Sequence, residues 1–230
     1  MYGLNAVALV FFGCINVLAY HLCKCPRSKR RSVVLALSAA LLCGNLLKYC
    51  VYYPLVEGAA RIPVEFSAVA YFAVPLILLT KLRPLHCWAA YSGLMAGFFY
   101  YMAMIIAGGA IYSTYPPAET YVSMLCHGTL YFCGFVTVGS EVFRRNDAAK
   151  LLLGVALVAL QAVLLRPFAD NGSPLLIYIL LDADLVRGLL PQSALTLALP
   201  LYYLALFGLV LLSIFGFLRK NKRQYRKFSC

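Results

Sequence analysis

The residues best suited to chemistry in this 230-residue chain are a histidine and a serine, each within apolar sequence. His127 lies inside the apolar stretch 119–143 and is followed at once by Gly128. Ser67 lies in another apolar stretch, two residues after Glu65. A serine hydroxyl becomes a nucleophile toward acyl groups when a base activates it and a third group orients that base. We therefore predict acyl chemistry, with Ser67 as nucleophile, His127 as base and Glu65 as the orienting group.

Further polar residues accompany His127 along its own stretch. Ser123 and Tyr131 are each four residues from the histidine, so all three would share one face of a helix. Gly128 would let a neighbouring helix approach beside the imidazole. A histidine at membrane depth usually faces a bundle interior or a wet cavity. We therefore expect Ser123 and Tyr131 to help bind a substrate next to the ring.

A second apolar stretch, residues 33–54, contains Asn45 and Lys48 about one helical turn apart. Either side chain could stabilise an oxyanion or hold part of a substrate. Three simpler interpretations remain open. Lys48 and Glu65 could merely neutralise each other, and His127 could be a satisfied polar group between helices. Ser67 could make only a helix–helix hydrogen bond.

The composition indicates the class of protein. Hydrophobic residues make up 63% of the chain, charged residues only 12%, and the mean hydropathy is +0.83. Such values are typical of an all-α, polytopic membrane helix bundle. The net charge of +12 does not indicate nucleic-acid binding, because the cations cluster between apolar runs and no soluble basic domain is present.

The apolar runs predict seven transmembrane helices in one domain, residues 1–218, followed by a basic cytoplasmic tail, residues 219–230. The segment 175–186 is too short to cross and is interpreted as interfacial or re-entrant. Gly93-x-x-x-Gly97 has the spacing for close helix packing. The seven predicted spans are 3–22, 33–54, 63–80, 88–110, 119–143, 149–166 and 195–218.

The basic residues predict the orientation. With seven spans, sixteen of the twenty Lys and Arg residues fall on one side of the membrane. Cytoplasmic loops carry an excess of these residues. The N-terminus is therefore predicted outside and the C-terminus in the cytoplasm, in an integral, multi-pass protein of the cell membrane.

The nine cysteines include no Cys-x-x-Cys pair and no Cys/His cluster with metal-ligand spacing. Most of them lie in apolar runs, where cysteine acts as a small hydrophobic residue. We therefore predict no disulfide framework, no metal site and no cofactor. Membrane lipids are the expected partners, including a possible lipid substrate.

Three segments carry a resemblance to a known family. IPVEFSAVAYFAVPLILLTK (residues 62–81), YSGLMAG (91–97) and LCHGTLYF (125–132) resemble segments of the YwaF-like integral membrane family and its eukaryotic transmembrane protein 164 branch. The resemblance implies a lipid acyltransferase that uses a cysteine and a histidine within the membrane. The family histidine falls on His127 by position.

Two positions depart from the family pattern. The family's cysteine falls on Ser67, and its motif histidine falls on Glu65. The chain could therefore use serine in acyl transfer or lipid hydrolysis, have another activity, or have lost catalysis. The alternatives are a non-enzymatic transporter or binder of a small polar or lipid ligand, which Lys48, Glu65 and His127 would hold, and a structural membrane subunit.

Overall fold

The computed structural model describes residues 2–56, 61–111, 117–169 and 175–228, and within these ranges the chain is helical, without strands. The described part contains ten α-helices. A π-helical turn, Lys48–Tyr52, separates α2 from α3, and a 3₁₀ turn, Arg83–Leu85, precedes α5. The helices are α1 Tyr2–Cys23, α2 Arg27–Leu47, α3 Tyr53–Val56, α4 Phe66–Leu79, α5 His86–Ile111, α6 Pro117–Ser140, α7 Asp147–Ala169, α8 Leu176–Leu181, α9 Asp184–Leu189 and α10 Gln192–Phe228.

Six helical segments of the described chain are long and apolar enough to cross a membrane. They are α1, α2 with its continuation through α3, α5, α6, α7 and α10. A water-soluble fold does not present six such segments. The chain is therefore a multi-pass membrane protein, and the prediction of an all-helical membrane bundle is confirmed at that level.

The predicted third span has a different construction. α4 has 14 residues, a length of about 21 Å against a hydrocarbon core of about 30 Å. Residues 61–64 before it are not helical, and Val64 is buried. The Gln161 side chain donates a hydrogen bond to the Pro63 carbonyl at 3.0 Å. Non-helical backbone is tolerated at membrane depth where protein groups satisfy it in this way.

α5 and α6 form the most buried helix pair. A Cβ added at Gly93 would lie 2.7 Å from the Leu130 carbonyl oxygen, and one at Gly97 would lie 2.7 Å from the His127 carbonyl oxygen. The predicted packing role of the Gly93-x-x-x-Gly97 motif is thus confirmed. Gly134 on α6 is equally close to the α5 backbone. Small residues on both helices allow the backbones to approach.

Contacts along α6 give the directions of its neighbours. On α1, Ile15 lies at Gly128 and Cys23 lies at Gly139, so α1 runs parallel to α6. The order is reversed on α2, where Arg30 lies at Gly139 and Asn45 lies at Cys126. α5 also runs antiparallel to α6, because Gly93 packs at Leu130 and Tyr101 bonds to the Met124 carbonyl.

The last helix continues through the predicted boundary between residues 218 and 219. α10 has 37 residues, or about 55 Å, so it extends beyond a bilayer core. Its buried Asn221 side chain donates to the Val138 and Glu141 carbonyls at 3.0 and 2.8 Å and accepts from the Phe143 amide. Residues up to 228 of the predicted tail are therefore helical. Ser229 and Cys230 lie outside the described residues.

The predicted interfacial segment forms the two short helices α8 and α9. Ala183 between them has a φ of 56°, a left-handed conformation that interrupts the helix. The Arg166 guanidinium at the end of α7 makes two hydrogen bonds to the Asp182 carboxylate, at 2.8 and 2.5 Å. These bonds hold the pKa of Asp182 below its ordinary value.

Candidate functional site

His127 is buried in the bundle with 6% of its surface exposed. Its Nδ1 lies 2.9 Å from the Ser123 carbonyl oxygen. The Tyr71 hydroxyl oxygen of α4 lies 2.7 Å from Nδ1 and 3.1 Å from Nε2. If Nδ1 carries the proton and donates it to the Ser123 carbonyl, the Tyr71 hydroxyl can donate to Nε2. A neutral imidazole then has both nitrogens satisfied.

Tyr100 of α5 covers one face of the imidazole. The two ring centroids are 3.7 Å apart and the planes differ by 9°. Tyr71 meets the same imidazole edge-on, with centroids 5.2 Å apart. Three helices therefore enclose the imidazole, with the Tyr100 ring lying parallel to it.

Ser67 is half-buried on α4, one helical turn before Tyr71. Among the hydrogen bonds between described residues, none joins Ser67 to His127. The hydroxyl from α4 that contacts the imidazole belongs to Tyr71. The catalytic pair of Ser67 and His127 stays a prediction.

Glu65 occupies the N-cap position of α4 and is turned toward α8. Its Oε1 accepts a hydrogen bond from the Ile177 amide at 3.4 Å. A carboxylate near the first amides of a helix is favourable, because those amides lack helical partners. Within the described chain, Glu65 forms no ion pair with Lys48 and no hydrogen bond with His127. Its predicted role in orienting the imidazole stays a prediction.

Asn45 is almost completely buried, with 1% exposed. Its Nδ2 donates to the Leu41 carbonyl at 2.9 Å and lies 3.8 Å from the Cys126 sulfur. Its Oδ1 is buried and has no hydrogen-bond partner. An unpaired buried acceptor of this kind costs about 1–3 kcal/mol. Asn45 therefore retains hydrogen-bonding capacity in the interior.

Lys48 begins the π-helical turn one helical turn after Asn45 and is half-buried. Its ammonium lies 5.3 Å from the centroid of the Tyr53 ring. It is close enough to act electrostatically on Cys126 and His127. We call Asn45, Lys48 and Cys126 the α2–α6 polar cluster; it adjoins the imidazole without a direct hydrogen bond to it.

The two residues expected beside the histidine have different surroundings. Ser123 Oγ lies 3.4 Å from His127 Nδ1, so the predicted shared face is confirmed for this residue. The Tyr131 hydroxyl instead donates to the Asn16 side chain of α1 at 2.8 Å. Tyr131 therefore joins α1 to α6, and its role in substrate binding stays a prediction.

The predicted close approach at Gly128 is confirmed. A Cβ added there would lie 2.6 Å from Ile15 Cδ1 and 2.8 Å from the Tyr101 hydroxyl. A side chain at this position would require the ends of the Ile15 and Tyr101 side chains to shift, because both already fill the space. Gly128 thus maintains the packing immediately after the histidine.

Sequence reasoning missed Tyr71, Tyr100 and Cys126. Tyr71 could have been found from its spacing, because it lies four residues after Ser67 and so shares that helical face. Cys126 directly precedes His127 but points toward α2, a direction that depends on tertiary packing. Tyr100 gives no local signal, because its contact with the imidazole follows from the α5–α6 register.

In the described part of the chain, no group of three or more His, Cys, Asp or Glu residues is placed to hold a metal ion. The chain matches no protein-family model, no curated protein and no solved structure at a significant level. The resemblance to the YwaF-like family therefore stays a prediction from the three sequence segments.

Proposed function

We propose that this chain is a seven-helix membrane protein that binds an amphiphilic ligand at the α2–α6 polar cluster. The ligand carries an anionic group for Lys48 and a hydroxyl or amide donor for Asn45. The observation that carries the proposal is a half-buried lysine, Lys48, within an apolar helix. Among the described residues, its ammonium lies near the Tyr53 ring and no carboxylate pairs with it.

The helix directions support seven crossings. α2 and α5 both run antiparallel to α6. Two successive long helices with the same direction require the chain between them to return across the membrane. The extended segment before α4, together with α4 itself, can supply that return. Seven crossings leave the termini on opposite sides, and the distribution of Lys and Arg favours a cytoplasmic C-terminus.

The chemistry of the cluster decides the class of ligand. Charged groups within membranes usually pair with an opposite charge or line a ligand path. A phosphate or carboxylate would neutralise Lys48, and a neighbouring hydroxyl could donate to the free Asn45 Oδ1. Lipids and lysolipids carry both kinds of group next to an apolar tail. A ligand of this class would satisfy both residues without exposing its chain to water.

Binding can be tested with lysophosphatidylglycerol, which has a phosphate, hydroxyl groups and one acyl chain. We expect it to raise the melting temperature of the purified protein, whereas lysophosphatidylcholine and inorganic phosphate do so much less. Lys48→Gln and Asn45→Leu should reduce the shift. Lys220→Gln, a substitution at an exposed position of α10, is the matched control. An unchanged shift in Lys48→Gln would refute this site.

Acyl transfer or lipid hydrolysis is the second candidate. The specific observation in its favour is Cys126, which precedes His127, contacts the Asn45 amide and lies within the field of Lys48. The resemblance implies a cysteine together with a histidine, and Ser67 remains the position matched by sequence.

In this second candidate, the sulfur of Cys126 or the oxygen of Ser67 attacks the carbonyl carbon of an ester lipid. The acyl–enzyme bond forms, the ester C–O bond breaks, and the nucleophile's proton passes to the departing alcohol. Water or a second alcohol then takes the acyl group. His127 would act as the base in both halves of the reaction.

Covalent labelling distinguishes Ser67 from Cys126 as the nucleophile and also tests whether the protein is an enzyme at all. A fluorophosphonate probe would label Ser67, and a hydroxylamine-sensitive acyl adduct would identify Cys126. Ser67→Ala and Cys126→Ala are compared with Cys14→Ala, an exposed cysteine on α1. If no variant loses turnover or labelling, and His127→Ala lowers only thermal stability, the enzymatic candidate is rejected and the imidazole has a structural role.

A further inference from the structure

A groove of about 440 Å³ lies between α1 and α2, away from the α2–α6 polar cluster. α6 forms its floor through Thr129 and Phe132. Apolar side chains of α1 and α2 form its walls, including Ile15, Val33 and Leu37. The groove is open along one side, where a membrane protein of this kind faces lipid.

The groove exists because α1 and α2 each pack against α6. Ile15 of α1 fits over Gly128, where even a Cβ would collide with it. α2 is held at its other edge, where the Arg30 guanidinium donates to the Gly139 carbonyl at 3.2 Å. The two helices make few direct contacts with each other, so a channel remains between them.

One end of the groove is cationic. His21 and Lys29 line it beside the connection between α1 and α2. The connection and the start of α2 carry many basic residues, and the sequence has no Asp or Glu before Glu57. No described ion pair neutralises these cations. They are Lys24, Arg27, Lys29, Arg30 and Arg31.

Tyr20 shows how the charge accumulates at this end. The ammonium groups of Lys24 and Lys227 lie 4.4 and 5.0 Å from the centroid of its ring. The two cations thus share one aromatic ring. A cationic end and an apolar body are complementary to an amphiphile that has an anionic head and a hydrocarbon tail.

We propose that this groove holds one acyl chain of an anionic membrane phospholipid, with its phosphate beside His21 and Lys29. The apolar part extends along α1 from Phe11 to Leu22, or about 16 Å. That length is close to half of the hydrocarbon core of about 30 Å, the depth of one leaflet. The groove therefore suits a lipid of the leaflet that contains the basic connection.

This site is independent of the proposed function. Lys29 and Lys48 are 19 positions apart on the segment formed by α2 and its π-helical continuation, a separation of about 28 Å. One phosphate cannot bind both ammonium groups. Lys48→Gln should therefore leave the groove lipid unchanged. Lysophosphatidylglycerol could also enter the groove, so Lys29→Gln should leave unchanged only that part of its shift that Lys48→Gln removes.

Native mass spectrometry of the purified full chain tests the proposal, with phosphatidylglycerol and phosphatidylcholine of equal chain length as probes. We expect one phosphatidylglycerol to be retained in preference to phosphatidylcholine. Lys29→Gln should reduce that preference about fivefold, the effect expected for one cation near an anionic head group. Lys220→Gln should not change it.

A second pair of variants tests the groove itself. Thr129→Trp places a large ring on the groove floor and should lower retention of both lipids. Leu157→Trp, on the exposed face of α7, is the matched control and should not. Equal retention of the two lipids by the wild type, or equal effects of the two tryptophan variants, would overturn the proposal. Cys25 also lines the groove. A hydroxylamine-sensitive acyl adduct on its sulfur would overturn the proposal, because the occupant would then be covalent.

Discussion

The Tyr71 hydroxyl contacts the His127 imidazole between α4 and α6, with its oxygen 2.7 Å from Nδ1 and 3.1 Å from Nε2. The contact is buried and Tyr100 covers the ring beside it. It ties the short helix α4 to the centre of the bundle. α4 has only 14 residues. This specific polar contact therefore helps to fix its position against α6.

Replacing the Tyr71 hydroxyl should destabilise the bundle. In Tyr71→Phe a buried nitrogen of His127 loses its partner, and the expected cost is about 1–3 kcal/mol of unfolding free energy. The measurement is denaturant unfolding in detergent, followed by circular dichroism. Tyr121→Phe, on the exposed surface of α6, is the control. Equal stability of the two variants would mean that the Tyr71–His127 contact contributes little.

Closing the space between α5 and α6 should also destabilise the protein. In Gly97→Ala the new methyl group would lie 2.7 Å from the His127 carbonyl and would also contact Tyr131. Overpacking of this kind costs about 1–3 kcal/mol. Gly44→Ala on α2 is the control, because its Cβ meets nothing within 4 Å. A thermal unfolding midpoint that falls equally in both variants would contradict the proposed packing role.

The proposed number of crossings predicts where the termini lie. Seven crossings place an N-terminal tag and a C-terminal tag on opposite sides of the membrane, whereas six place them on one side. We expect antibodies to reach the N-terminal tag on intact cells and the C-terminal tag only after permeabilisation. Detection of both tags on the same side would rule out seven crossings.

The ion pair between Arg166 and Asp182 should make α8 and α9 sensitive to acid. The guanidinium holds the Asp182 pKa below its ordinary value. The Asp182 carboxyl therefore binds a proton more tightly in the unfolded state than in the folded state. The pair therefore stabilises the segment at a pH above about 3.9 and loses that effect as the pH falls through the lowered pKa.

Hydrogen exchange in α8 and α9 measures this effect. Asp182→Asn should increase exchange at pH 7, and the ratio of variant to wild type should fall toward one as the pH drops below the lowered pKa of Asp182. Asp184→Asn is the neighbouring control, because no described ion pair involves Asp184. A ratio that is independent of pH would show that the carboxylate does not stabilise the segment.

Local sequence properties predicted the class, the approximate helix positions and the packing glycines. These features depend on neighbouring residues: apolar runs of bilayer length form helices, and glycines four positions apart create a flat face. The same rules failed to give the length of the helix within the predicted third span, α4. Its backbone before Phe66 is extended, and the side chain of Gln161, nearly a hundred residues later, satisfies a carbonyl there.

The sequence alone determined that His127 lies in the interior of a helical membrane bundle, because an imidazole in an apolar helix must avoid lipid. Only the tertiary structure decided which groups meet it. Ser67 and Tyr71 lie on the same helical face, so periodicity cannot choose between their hydroxyls. The packing of α4 against α6 brings Tyr71 to the ring. The position of α4 along α6 depends on contacts between helices that are distant in the chain.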